Sequence, residues 1–202
     1  RADFVDDDLL ATSDFALEAP CRDRLLVLHE AMPALLLHLA GHRGTEIVGG
    51  CAPYRLVGAT SGHVGRSLVL ALAPLPFAVT WIDPRPTAFP PHVPANARCI
   101  SEPEPAKLLH DAPDGAFIAI MTHSHALDLD IAAAALRARR FAYVGLIGSE
   151  TKRARFVGTL RQLGVAQADI DCLVCPIGLT AIDDKSPAAI AASASLRISA
   201  MS

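Results

Sequence analysis

Two histidines one residue apart, with two acids just beyond, sit in the stretch MTHSHALDLD at residues 121–130. Neutral imidazole is the commonest protein metal ligand, and an H-x-H pair on an extended strand puts both rings on one face. A metal site would have to draw its remaining ligands from elsewhere, which ranks it behind a direct ligand contact by His123 and His125. The same residues also suit a plain helix start. Ser124 is then the N-cap, and Asp128 and Asp130 favour the helix dipole.

Three further stretches carry chemistry-bearing residues. GATSGHVGRS holds Gly58, Gly62 and Gly65 in the pattern G-x-x-x-G-x-x-G, two residues longer than the dinucleotide fingerprint, and Asp83 follows 21 residues after Gly62. Glycines at a strand-to-helix turn let a phosphate approach the helix N-terminus, and an acid ending the next strand can bind ribose hydroxyls. An ordinary turn with a surface acid is the alternative.

LIGSETKRAR offers Ser149 as an N-cap and Glu150 in the first turn, followed by Lys152, Arg153 and Arg155. Cations there oppose the helix dipole, and an anion beside Gly148 and Ser149 would turn that cost into attraction. The alternative is a solvated basic face. CPIGL puts Cys175 at another strand end, where a thiolate could touch a soft metal or carry sulfur, and a buried inert thiol is the alternative. Lys185 lies a short way beyond, able to hold an anion or to face water. Cys172 and Cys175 form a C-x-x-C, but CLVC reads as a strand and not as the redox motif at a helix start, so Cys172 is expected in the core.

The elements that must position these residues are legible from residue 54 onward. YRLVG, FAVTWID, ARCIS, GAFIAIMTHS, YVGLIGS and CLVCPIGL read as strands. HVGRSLVLALA, PAKLLHDA, ALDLDIAAAALRARR, TKRARFVGTLRQLG and SPAAIAASASLRI read as helices between and after them. Strands that alternate with helices predict an α/β fold with a doubly wound, mostly parallel sheet, Rossmann-like in form. In such sheets ligands bind outside the strand C-terminal ends, where the polar clusters above fall. Residues 53–202 are expected to form this cofactor-binding domain, and residues 1–52 a small N-terminal segment, mostly helical or irregular.

Composition narrows the function classes. A net charge of -3 argues against a nonspecific nucleic-acid binder, which needs a basic excess to neutralise phosphates. The 51% hydrophobic content is not gathered into a membrane span, and the nearest stretch, LLVLHEAMPALLLHLAG from Leu25, is broken by Glu30 and Pro33. It reads as a buried or dimer-facing helix. The first residues lack a secretory pattern, and a start at Arg1 without Met predicts a missing or processed N-terminus. Cysteines at 21, 51, 99, 172 and 175 make no even disulfide framework, so a reducing cytoplasm is expected.

Together GHVGRSLVLALAPLPFAVTWIDPR, MTHSHALDLD, FAYVGLIGS with TKRARF, and CPIGL resemble the xanthine dehydrogenase accessory protein family (XdhC/CoxI) over residues 56–197. The resemblance implies a Rossmann-like domain that binds molybdenum cofactor, either as molybdopterin or in its dinucleotide form. It implies a chaperone that protects the cofactor, supports its sulfuration with a cysteine desulfurase, and delivers it to a xanthine dehydrogenase-type molybdenum hydroxylase. It further implies a cytoplasmic homodimer without turnover of its own. Family motif positions fall on Gly62, His63, Gly65, Asp83, Arg85, Thr122, His123, Ser124, His125, Asp128, Gly148, Ser149, Lys152, Arg153, Cys175 and Gly178. Phosphate contact is expected from the Gly62–Gly65 backbone, Lys152 and Arg153, and pterin or dithiolene contact from His123 and His125. Thr60 and Ser61 lengthen the family's first glycine loop, and IVGGCA around Cys51 is at most a remnant of its S-G-G-C stretch.

Three other readings compete. An NAD(P)-dependent oxidoreductase would use Asp83 for ribose and a THSH histidine as acid or base. A metal-dependent hydrolase would use His123, His125 and Asp128. A purely structural or partner-docking protein is the third.

Overall fold

Phe117–Met121 is apolar at every position and buried at every position, the mark of a strand covered on both faces. It is the fourth of six strands in the computed structural model, which describes residues 54–60, 62–182 and 184–201. The predicted N-terminal segment, with Cys51 and the apolar stretch from Leu25, lies outside the described residues.

The strands are β1 (Tyr54–Thr60), β2 (Phe77–Asp83), β3 (Ala97–Ser101), β4 (Phe117–Met121), β5 (Tyr143–Leu146) and β6 (Leu173–Val174). They form one sheet in the order β3-β2-β1-β4-β5-β6, every pair parallel. This is the doubly wound Rossmann order, with its switch point between β1 and β4. The helices are α1 (Gly62–Ala71), α2 (His125–Ala138), α3 (Glu150–Gln162), the short α4 (Gln167–Ile170) and α5 (Pro187–Ser199).

Strand alternation divides the core in two. Phe117, Ala119 and Met121 of β4 join Phe77, Val79 and Trp81 of β2 beneath α1 and α5. Ile118 and Ile120 point the other way and join Val144 and Leu146 of β5 beneath α2 and α3. Each of the larger apolar side chains among them contributes about 1.5–3 kcal/mol when fully buried, so the two layers fix which sheet face every helix covers.

Serines set the helix starts. Ser124 Oγ accepts from Leu127 N, Ser149 Oγ from Lys152 N, and Ser186 Oγ from Ala189 N, with Pro187 in the first turn of α5.

Several element boundaries differ from expectation. β4 stops at Met121 instead of running through the histidines, because Ser124 caps α2 and His125 already opens the helix. His123 and His125 therefore do not share a strand face. α2 ends at Ala138, where Arg139 takes a left-handed φ of 52°, before the two arginines included in the predicted helix. PAKLLHDA forms a 3-10 helix, Pro105–Asp111, held by bonds such as Lys107 N to Glu104 O at 3.0 Å. CLVCPIGL supplies only the two residues of β6, followed by an irregular loop with a cis Cys175–Pro176 bond. Cys172 lies in the turn after α4 and is exposed, contrary to its expected place in the core.

Candidate functional site

The ends of β4, β5 and β6 gather three of the stretches singled out in the sequence, and Asp128 ties two of them together. Asp128 sits in the first turn of α2 and is 1% exposed. Its Oδ1 accepts from Thr122 N at 2.9 Å, which fixes the exit of β4, and its Oδ2 accepts from Lys152 Nζ at 2.8 Å. Lys152 Nζ also donates to Ile147 O at 2.8 Å and lies 5.2 Å from the centre of the Phe156 ring. Two of the three N–H donors of the ammonium expected to hold a phosphate are thus engaged inside the protein. Gly148 is required here because a Cβ would come within 2.5 Å of Lys152 Cδ.

Beside this node, the Cys175–Leu179 loop is held from below. Tyr143 Oη donates to Ile177 O at 2.9 Å. Arg197 Nη1 donates to Gly178 O at 2.7 Å and to Pro176 O at 3.2 Å, and Ser193 Oγ accepts from Leu179 N at 2.6 Å. Sequence reasoning missed these three residues. A buried tyrosine and serine in otherwise apolar elements are the available signal, since buried polar groups need partners. Burial also pushes the Tyr143 hydroxyl well above its ordinary range.

Cys175 is buried, and its thiol donates toward Ser149 O at 3.9 Å. Burial raises its pKa to about 11, against a smaller lowering by Lys152. Burial therefore disfavours the soft thiolate considered from sequence.

Two cavities open beside the head of α3. The larger, about 540 Å³, is lined by Ile147, Gly148, Ser149, Glu150, Pro176, Ile177, Gly178, Leu179, Thr180, Ile182, Asp184, Lys185, Ile190 and Ser193. The smaller, about 430 Å³, lies between α2 and α3 and is lined by His125, Ala126, Leu129, Ser149, Thr151, Lys152, Arg155, Phe156 and Thr159. His125 is exposed there, its ring 6.4 Å from that of Phe156. Of the expected site residues, Gly148, Ser149 and Gly178 line the first cavity, and His125, Ser149 and Lys152 the second. His123, Ser124, Arg153 and Cys175 line neither of these two.

The glycine turn forms a separate region. Gly58 is buried inside β1, paired with Trp81 and Ala119 on its two neighbours, so it is a strand residue and not part of a phosphate loop. Gly62 opens α1 with φ of 75°, a left-handed conformation that suits glycine. His63 is exposed, and Gly65 is buried in α1. Asp83 ends β2 with its side chain fully covered, and its carboxylate accepts from Arg85 N at 2.9 Å, Nε at 3.0 Å and Nη2 at 3.1 Å. An unmodified ribose would have to displace Arg85 to reach it.

Among the described residues no group of three or more His, Cys, Asp or Glu side chains is placed to hold a metal ion, and no helix is long and apolar enough to cross a membrane. Both Asp128 oxygens are already engaged, which removes that residue from a cluster with His123 and His125.

The family model described as the XdhC Rossmann domain matches residues 56–195. Among solved structures, a chain described as a xanthine dehydrogenase from Bacillus halodurans is similar at 26% identity with a TM-score of 0.62, over 73% of this chain and 42% of that one. The present chain therefore covers about two fifths of that chain's length. No curated protein matches.

Proposed function

Because the chain belongs to the XdhC family through its Rossmann domain, we propose that it is a non-catalytic accessory protein that binds molybdenum cofactor and presents it to a xanthine dehydrogenase-type molybdenum hydroxylase. Support for sulfuration by a cysteine desulfurase, and work as a cytoplasmic homodimer, belong to the same proposal. The observation that carries it is the pair of cavities at the head of α3, one largely apolar and one carrying cations.

The residues present fit such a group. A cavity of about 540 Å³ lies within the usual range for small-molecule sites, and its walls of Ile147, Ile177, Leu179, Ile182 and Ile190 suit the faces of a flat ring system. Arg155 and His125 in the adjoining cavity suit a phosphate. When bound in a hydroxylase, the cofactor supplies the molybdenum that carries the redox chemistry. The work of this chain is to hold, orient and shield it. Ile177 and Leu179 exclude water from the ring faces, and the hydrogen bonds from Tyr143, Ser193 and Arg197 keep their backbone fixed. Burial raises the Cys175 pKa to about 11, which disfavours its thiolate in this arrangement.

The oxidoreductase reading is disfavoured because Arg85 pairs with the Asp83 carboxylate that it would use for ribose. The deciding experiment is calorimetric titration of the chain with molybdenum cofactor, run beside NADH, NADPH and zinc. Micromolar or tighter binding of the cofactor alone supports the proposal. Binding of a nicotinamide nucleotide or zinc without the cofactor overturns it.

A further inference from the structure

Glu150 and Lys185 line the same cavity from different elements, and neither has an ion-pair partner among the described residues. Glu150 opens α3, and Lys185 stands in the connection from Leu179 to Ser186 that leads into α5. Both ends of that connection are fixed. Leu179 N donates to Ser193 Oγ at 2.6 Å and Arg197 Nη1 donates to Gly178 O at 2.7 Å, while Ser186 Oγ accepts from Ala189 N at 3.3 Å. Between the ends, Thr180, Ala181, Ile182, Asp184 and Lys185 are exposed. Ile182 lines the cavity yet stays 39% exposed, so its apolar side chain is only partly removed from water.

A connection tethered at both ends, with an apolar side chain left in water and an unpaired cation, gains free energy by moving inward. Glu150 and Lys185 share one cavity, so drawing the connection over it shortens the distance between their charges. Asp184 is the other carboxylate on this cavity, and its Oδ1 is turned back to Ser186 N at 2.7 Å. Glu150 is therefore the acid that Lys185 meets across the opening. We propose that this connection is a strap that closes the larger cavity, with Lys185 and Glu150 as its latch. The latch rests on the cofactor-binding reading only for what the closed cavity holds. A strap shut over a bound molecule shields it from water and slows its release.

The test reads access to the cavity directly. Ile190 of α5 lines it and is half-buried, so Ile190→Cys in the full chain gives a thiol whose iodoacetamide labelling, followed by peptide mass mapping, reports opening. In that background Glu150→Gln and Lys185→Met are each expected to speed labelling by about twofold to fivefold, the factor a partly exposed ion pair commands. The two together should be no faster than either alone, because both remove one interaction. Half-molar salt should speed labelling of the parent by a similar factor and leave the double variant unchanged. Glu150 and Lys185 are exposed, so unchanged thermal melting checks that the variants fold. A direct effect of either charge on the thiol would have opposite signs in the two variants, since only the thiolate reacts. Opposite signs, effects that multiply, or no change overturn the latch. Coupling between the two variants in a chain that fails to bind molybdenum cofactor sinks the cofactor-binding reading and upholds the latch. Cofactor binding without that coupling overturns the latch alone.

Discussion

Lys152 Nζ and Asp128 Oδ2 lie 2.8 Å apart, joining the head of α3 to the first turn of α2 in a pair whose side chains are 16% and 2% exposed. The pair is placed where both helices meet the end of β4, and the other Asp128 oxygen holds the Thr122 N–H. Removing one member of such a pair leaves the other buried and uncompensated, which costs about 3–5 kcal/mol. Asp128→Ala should therefore lower stability by about 3–5 kcal/mol in urea denaturation. The double replacement Asp128→Leu with Lys152→Met should lose less than the single change, because no unpaired charge remains. An Asp128→Ala chain as stable as the wild type would show that the pair is solvated and structurally idle.

The buried Cys175 predicts a pH-dependent pattern of thiol modification. Its pKa is raised to about 11, above the 9.0 of a free thiol, by burial. A folded-state pKa above the unfolded value means that this group's contribution to stability is fully present below the ordinary thiol pKa. It is lost as the pH rises through about 11. Iodoacetamide labelling followed by peptide mass mapping should therefore find Cys172 modified before Cys175 at pH 8. Cys175 should lag it by about a hundredfold or more, since the thiolate is the reacting form. Equal labelling of the two at pH 8 would place Cys175 in contact with solvent.

How far the sequence could be read depended on the range of each signal. Alternation of apolar runs with helical patterns extends over many residues, so six strands and their parallel arrangement were legible from residue 54 onward. Ser124 and Ser149 act through bonds to residues three positions on, and these caps were legible too. Cys172 was misplaced because strand alternation was extended over four residues where only Leu173 and Val174 pair with β5. The Lys152–Asp128 pair spans 24 residues, and the bond between Ser193 and Leu179 spans 14. No local pattern reports a partner at that distance. This is why Lys152 read as an open phosphate ligand and Tyr143, Ser193 and Arg197 went unnoticed.

Tyr143 offers a direct test of how the Cys175–Leu179 loop is held. Its hydroxyl gives Ile177 O a buried partner, and Phe in its place would keep the ring while leaving that carbonyl without it. Loss of a partner to a buried polar group costs about 1–3 kcal/mol. Tyr143→Phe should lower stability by about that amount in chemical denaturation and increase amide hydrogen exchange at Ile177 to Leu179. Unchanged exchange would leave Arg197 and Ser193 as sufficient supports.

Gly178 and Ser193 set the closest approach between that loop and α5. A Cβ on Gly178 would lie 2.4 Å from Ser193 Oγ and 3.0 Å from Ser193 Cβ. The hydroxyl cannot simply rotate away, because it accepts from Leu179 N at 2.6 Å. Gly178→Ala must therefore push the loop off α5 or break that hydrogen bond, an overpacking cost of about 1–3 kcal/mol. Ser193→Ala alone removes the Leu179 bond and costs about 1 kcal/mol. In the double variant the clash with Oγ is gone, so the two losses should sum to more than the measured total, a coupling that a double-mutant cycle reads directly. Strict additivity would mean that the loop already moves independently of α5, and the wall of the larger cavity would then not be rigid.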